Sequence, residues 1–320
     1  MHDLPRHELH HADGRRLLVY GGPSGFLDGE PAPDEAPTTH ERLDVFTRAW
    51  VGIAPARNAR PLDSVAETAE QCPFCPGGSE VPFPYPTPPQ PPPLVGPTES
   101  ARGKCEVVLY THRHEASFGA LSAIELCRVV AVWIDRAREL WSDTARSYVC
   151  VFENPGSEVG ATIAHPHGQI HALDRVPPIA AAKAAAHRRH RDQVGRCLSC
   201  DATLSDARSD RIVSENESFV VAVPFAARWP FEVAIRARRH GLKAPADEPD
   251  WHLAFELYPL HRASRTAKIR ASVETGLGLF LNDVAPEEAA RRLTRLTVPA
   301  EPIELDTLFV VARPEVAATP

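Results

Sequence analysis

Glu153-Asn-Pro-Gly-Ser-Glu-Val-Gly-Ala-Thr-Ile-Ala-His165-Pro-His167-Gly-Gln169-Ile-His171 is the stretch from which the rest of the chain can be read outward. In an extended segment side chains alternate between faces, so His165, His167 and Gln169 share one side. Such a face cannot be sealed in an apolar core, because each unpaired buried polar group costs a few kcal/mol. It must therefore meet solvent, a metal or a ligand. The glycine-bearing turns before it, at Gly156 and Gly160, let backbone N–H groups come close to an anion.

The segments around this stretch read as strand and helix. Cys105 to Tyr110 is a short β-branched apolar run, expected as a buried strand that delivers His112 and His114 at its end. Leu121, Ile124, Val129, Trp133, Ala137, Leu140 and Trp141 keep helical spacing, which predicts a long amphipathic helix. Ser147 to Phe152 is a second apolar strand leading into the histidine stretch. Upstream, residues 43–53 read as a short strand pair. Residues 1–42 show no sustained periodicity and are expected to be a loosely ordered, flexible arm. Nine prolines between Val81 and Pro97 make a polyproline-like connector.

A second half repeats the order of parts. Cys197-Leu-Ser-Cys200 is followed by strands near Arg211–Ser214, Ser218–Val223 and Trp229–Ile235, then His240, then an alternating segment from Trp251 to Tyr258. Cys72-Pro-Phe-Cys75 opens the same series in the first half, so an internal duplication is expected. The second half has no histidine pair of its own, since Ala254 and Glu256 stand where it would fall. Pro178 to Gln193 reads as an exposed helix with His187 and His190 solvated, and Pro286 with two acids after it signals a closing helix. The expected division is an arm over 1–42, a first repeat over 43–195 and a shortened second repeat over 196–320.

The 320 residues leave room for two domains, and 43% hydrophobic with 24% charged residues is ordinary globular composition. A net charge of -7 argues against a general nucleic-acid scaffold, though a nucleotide ligand needs only one or two local cations. No apolar run is long enough to span a membrane, and the first ten residues lack a signal-like apolar region, so the cytoplasm is the expected setting. Cysteines there are more often ligands or core thiols than disulfides. Cys105, Cys127 and Cys150 are expected in the core. Cys72, Cys75, His114 and His165 together suit a closed, structural zinc ion. Cys197 and Cys200 are expected as reduced structural thiols, with a metal shared with His240 as the alternative.

His167 is the candidate for chemistry: a neutral imidazole can attack phosphorus, provided its other nitrogen donates to a fixed acceptor such as a backbone carbonyl. Gln169 would orient phosphoryl oxygens and stabilise charge on them. Arg57 and Arg60 could reach one anion, although alone they read as surface charges.

Asn154-Pro-Gly, Gly160-x-Thr162 and His165-Pro-His-Gly-Gln169 resemble the active-site signature of the galactose-1-phosphate uridylyltransferase family, in the histidine-triad superfamily. Arg48-x-Trp50-Val, Arg57-x-x-Arg60-Pro, Cys72-x-x-Cys75, Trp229-Pro-Phe-Glu and Lys268 to Glu274 continue the likeness in the family's order. It implies an α+β fold of two fused histidine-triad-like repeats, mainly antiparallel sheet with flanking helices, in a homodimer. It also implies ping-pong transfer of a nucleotidyl group, by default UMP between UDP-glucose and galactose 1-phosphate, through a covalent histidine. The implied nucleophile is His167, with Gln169 as its phosphoryl partner. Cys72, Cys75, His114 and His165 match the zinc ligands. Arg57, Arg60, Asn154, Gly160 and Thr162 match nucleotide-phosphate contacts, and Lys268 and Glu274 match sugar-phosphate contacts. Glutamine in place of a third histidine points to a transferase rather than a hydrolase. The proline connector replaces a strand with which the family helps hold uridine. A phosphorylase or hydrolase acting on another nucleotide, or a non-catalytic homologue, is therefore the alternative.

Overall fold

The computed structural model describes residues 6–10, 16–20, 40–43, 50–53, 98–100, 103–114, 116–143, 145–161, 163–240, 252–263 and 266–297. Its strands are β1 (Arg6–His10), β2 (Arg16–Tyr20), β3 (His40–Leu43), β4 (Trp50–Ile53), β5 (Thr98–Ser100), β6 (Gly103–Leu109), β7 (Tyr148–Phe152) and β8 (His167–Leu173). They continue with β9 (Ile212–Glu215), β10 (Phe219–Ala222), β11 (Val233–Ala237), β12 (Ala254–Leu257), β13 (His261–Ala263) and β14 (Thr266–Ala267). The helices are α1 (Ala123–Ser142), α2 (Pro178–Val194), α3 (Leu198–Ala207), α4 (Ser272–Gly276) and α5 (Pro286–Thr294). Every strand pairing among the described residues is antiparallel. The class is thus mixed helix and antiparallel sheet. No described helix is long and apolar enough to cross a membrane.

Contacts divide the chain between Arg175 and Val176, so α2 groups with the second unit, ahead of the boundary read at 195/196. In the first unit β8 lies between β6 and β7, with Leu109 opposite His167 on one side and Phe152 opposite Gln169 on the other. Its inward residues Gly168, Ile170 and Ala172 are buried, while His167, Gln169 and His171 on the other face are only partly so. Val108, Tyr110, Leu121, Val129, Leu140 and Val149 complete that core.

Helix α1 starts where Ser122 and Glu125 close a capping box, the Ser122 Oγ accepting from the Glu125 N–H at 3.3 Å and the Glu125 Oε2 accepting from the Ser122 N–H at 2.8 Å. Beneath it, Arg136 is 2% exposed and gives two hydrogen bonds to Glu106 on β6, at 2.8 and 2.7 Å. Strands β1 and β2 form a hairpin inside the stretch expected to be a loose arm. It drapes on α1, where Arg6 reaches Glu139 at 2.5 Å, Arg16 reaches it at 2.7 Å, and the Tyr20 hydroxyl donates to Asp135 at 2.5 Å.

In the second unit the sheet runs β12-β11-β10-β9. Its buried residues include Val220, Ala222, Val223 and Ala234, with Ala289 and Ala290 of α5. Two expectations change here. His187 and His190 are not solvated but fasten α2 to α3, through Ser199 Oγ at 2.7 Å and Asp201 Oδ2 at 2.7 Å. Cys105 is exposed rather than in the core, because it lies on the outward face of β6, opposite His171.

Gly168 is required by contact rather than by dihedral freedom. A Cβ built there would lie 2.0 Å from the Tyr110 hydroxyl and 3.1 Å from the Phe152 carbonyl. Gly168→Ala is expected to destabilise the chain by about 1–3 kcal/mol through overpacking. Adding Tyr110→Phe should recover part of that loss in a denaturation double-mutant cycle; additive effects would show that the hydroxyl is not the obstacle.

Candidate functional site

The outward face of β8 carries the chemistry-bearing groups. His167 Nδ1 lies 2.8 Å from the His165 carbonyl oxygen. A proton on Nδ1 is donated to that oxygen, which fixes the ring plane and leaves the lone pair on Nε2, the form a nucleophile requires. Two residues on, Gln169 Oε1 lies 3.4 Å from His171 Nε2, and the His171 ring meets Phe152 edge to face at 4.8 Å between centroids. An N–H on His171 Nε2 turns the Gln169 amide so that its NH2 group faces outward as a donor. His171, which reads as peripheral in the sequence, thus bears on Gln169. Val107 and Leu109 of β6, opposite Gln169 and His167, are 50% and 44% exposed and give these groups an apolar flank.

Ahead of the strand, Ser157–Val159 forms a 3₁₀ turn, and Gly160 closes it in the left-handed region at φ 84°. Its N–H bonds the Ser157 carbonyl at 3.0 Å, and the Ala161 N–H bonds that of Gly156 at 3.2 Å. Asn154 stands exposed at the start of this turn. Thr162, Arg57 and Arg60 lie outside the described residues, as do Cys72, Cys75 and the proline connector.

The other two expected zinc ligands do come together. His114 and His165 have ring centroids 5.7 Å apart, and His165, 1% exposed, lies with Nε2 2.8 Å from the Thr111 carbonyl oxygen. Burial holds the His165 imidazole below its ordinary pKa. A neutral ring is the form a metal binds, so these residues fit a ligand role.

Lys268 and Glu274 are brought together within the second unit. They form a buried ion pair at 2.8 Å, in which Lys268 also donates to the carbonyls of Arg228 and Leu281, and the Leu281 N–H donates to Glu274 at 2.9 Å. The hydrogen bond from Lys268 holds the Glu274 carboxyl below the usual carboxylate range.

A second group of possible metal ligands is Cys197, Cys200, His240 and His252, whose ligand atoms all lie within 4.8 Å of one another. The expectation of two merely structural thiols at Cys197 and Cys200 therefore gives way to a Cys2His2 cluster that could bind a metal. His252 was the missed member. The signal was its place two residues before a strand, which is where His165 stands before β8.

Comparison with known proteins fits this arrangement. The family described as galactose-1-phosphate uridyl transferase, N-terminal domain, matches over residues 95–177. The galactose-1-phosphate uridylyltransferase of Thermotoga maritima is 33% identical over 316 residues, covering 80% of this chain and 98% of the relative. A solved uridylyltransferase structure superposes with a TM-score of 0.67 at 27% identity, covering 80% of this chain and 97% of that one. An ADP-glucose phosphorylase of Arabidopsis thaliana is 25% identical over 251 residues, covering 68% of this chain and 70% of the relative. An antiparallel unit that offers a carbonyl-locked imidazole and an oriented amide on one strand is suited to transfer at phosphorus. The chain belongs to the galactose-1-phosphate uridylyltransferase family, a family of enzymes.

Below β8 lies one titratable group with a displaced equilibrium. Glu153 directly follows β7, and continuing the register sets it beside Gly168. Burial pushes its carboxyl up to about 7, against the opposing pull of Tyr110. The Tyr110 hydroxyl has no hydrogen bond of ordinary geometry among the described residues. Because the folded pKa lies above the ordinary value of 4.5, the folded state holds the proton more tightly. The resulting stabilisation is complete below that ordinary value and is lost as pH rises through about 7. Glu153→Gln, locked in the neutral form, should gain melting temperature over the wild type as pH goes from about 5 to about 8. A constant difference across that range would show that Glu153 ionises in the fold as it does in the unfolded chain.

Proposed function

We propose that this protein is a nucleotidyltransferase that moves UMP between UDP-glucose and galactose 1-phosphate, or a related sugar 1-phosphate, by a ping-pong mechanism. The observation that carries this reading is His167, its Nδ1 tied to the His165 carbonyl at 2.8 Å on the open face of a central strand. In the first half-reaction Nε2 attacks the α-phosphorus of the nucleotide sugar. A P–N bond forms, the P–O bond to the sugar phosphate breaks, and the sugar 1-phosphate leaves with the electron pair. In the second, a phosphate oxygen of the incoming sugar 1-phosphate attacks the same phosphorus and the P–N bond breaks, restoring the imidazole.

Gln169 donates to the non-bridging oxygens as negative charge grows on them, held in orientation by His171. Arg57, Arg60, Asn154, Gly160 and Thr162 are the nucleotide-phosphate contacts in this reading, and Lys268 with Glu274 receives the sugar phosphate. Cys72, Cys75, His114 and His165 hold a structural zinc ion, which fastens the entry of β8 and takes no part in the transfer. The reading includes two fused histidine-triad repeats, a homodimer and a cytoplasmic setting. It is supported by the order of parts in the two halves and by the family relationship.

The phosphorylase among the relatives favours one second reading, in which another nucleotide is carried on His167 and inorganic phosphate discharges it. Both are tested by incubating the protein with UDP-glucose or ADP-glucose and recording the intact mass. The wild type should gain one nucleotidyl group and His167→Ala none. Discharge by galactose 1-phosphate supports the transferase, discharge by phosphate alone supports the phosphorylase, and the lack of any adduct removes both. His171→Phe keeps the ring against Phe152 but deletes the donor to Gln169. Adduct formation should slow by about tenfold or more, on the scale of losing one oriented donor, with little change in melting temperature. An unchanged rate would take His171 out of the site.

A further inference from the structure

The second unit contains a built site that the transfer chemistry does not use. Cys197 is the N-cap of α3, and its sulfur accepts the Cys200 N–H at 3.4 Å, so one tight turn aims both sulfurs to the same side. Facing them, His252 Nε2 lies 3.6 Å from the Cys197 sulfur and 3.5 Å from that of Cys200, while His240 Nε2 lies 3.4 Å from Cys200. The two rings are 4.5 Å apart between centroids.

These distances can be set against a tetrahedral ion. Zinc–sulfur bonds of about 2.3 Å and zinc–nitrogen bonds of about 2.0–2.1 Å, at the tetrahedral angle, put sulfur and nitrogen about 3.5–3.6 Å apart. All three sulfur–nitrogen separations lie within 0.2 Å of that value. One imidazole nitrogen almost equidistant from two sulfurs points to a common centre, whereas a thiol hydrogen bond would select one of them. His252 is 5% exposed and its Nδ1 lies 2.9 Å from the Ala237 carbonyl oxygen. That bond takes the Nδ1 proton and aims the Nε2 lone pair at the sulfurs, the outer-shell support that ligating histidines have.

We propose that Cys197, Cys200, His240 and His252 bind one zinc ion as a closed structural site of the second unit. Two sulfurs and two imidazoles in a tetrahedral array select zinc among the common divalent metals. Four protein ligands leave no open position for water, so the ion serves folding rather than chemistry. It joins the start of α3 to both ends of the β11–β12 connection. The order of ligands repeats that proposed for the first half: Cys72-x-x-Cys75, a histidine beyond β6, and a histidine two residues before β8. The second site stands on its own geometry, whether or not His167 transfers a nucleotide.

The test measures metal rather than activity. Full-length protein made with cobalt in place of zinc is examined by absorption, with metal content taken by mass spectrometry. Cys72→Ser should keep one equivalent and the intense visible bands of tetrahedral thiolate-bound cobalt. Cys72→Ser combined with Cys200→Ser should lose both. His252→Cys keeps four donors and should fold and retain metal, with a stronger sulfur-to-cobalt charge-transfer band from its third thiolate. That variant decides the matter should the double variant fail to fold. Cys72→Ser protein that is folded but metal-free would overturn the proposal. So would metal content unaffected by Cys200→Ser, or a His252→Cys spectrum identical to that of the wild type.

Discussion

One strand has to satisfy opposite demands on its two faces, and the first unit is arranged around that requirement. The inward side of β8 is Gly168, Ile170 and Ala172, the last two fully buried, and the outward side is His167, Gln169 and His171. Because β8 is bonded on both edges, by β6 and β7, its backbone cannot slip without turning every polar group into the core. The period-two alternation therefore fixes the separation of the imidazole and the amide before any ligand arrives. Gly168 is where the two demands meet: it is buried, it lies between the two reactive residues, and the Tyr110 ring occupies the space a side chain would need. Close packing under the strand is thus what holds the site geometry above it.

The helix that covers the inward face is keyed to the sheet by charge. Arg136 points from α1 at Glu106 on β6 and also reaches Glu139 at 2.7 Å. A guanidinium buried to that depth must be paired, and its pairing adds more to the register of helix on strand than to net stability. Glu139 is held well below the usual carboxylate range by Arg136 first and then by Arg16 and Arg6. The same carboxylate so collects the core arginine and the hairpin β1–β2. Regular structure in that hairpin comes from what it docks on, which explains why its own sequence shows no clear period.

What could be read from the sequence was what is local. The alternation in β8, the Ser122-x-x-Glu125 start of α1 and the Pro286 start of α5 are each encoded within a few residues, and each appears where expected. What could not be read depends on partners distant in the chain. His252 is an unremarked residue in an apolar strand pattern until Cys197 and Cys200, more than fifty residues away, are brought to it. His187 and His190 look like solvent residues on an alanine-rich helix until α3 packs beside them. Cys105 sits in an apolar run, but only the pairing of β6 with β8 reveals that its face is the open one. His171 seemed to stand outside the site because its link to Gln169 runs along the strand rather than through any recognisable motif.

The two halves separate the structural from the chemical part of one design. In each, a buried histidine stands two residues before a strand and bonds a carbonyl of the neighbouring chain segment, His165 with Thr111 and His252 with Ala237. In each, a Cys-x-x-Cys turn is available to share its metal. The outward positions then diverge: His167 and Gln169 in the first half, Ala254 and Glu256 in the second. Glu256 accepts from Lys183 of α2 and from the Tyr258 hydroxyl, both at 2.5 Å, so that face has become an ion-paired surface. This asymmetry follows from the energetics. Losing a ligand from a metal corner leaves buried sulfur and nitrogen without their centre and weakens the fold itself. Exchanging a side chain on a partly exposed face changes stability by only about half a kcal/mol. Folding alone therefore preserves the corner in both halves, and only a requirement for the reaction preserves His167 and Gln169 in one.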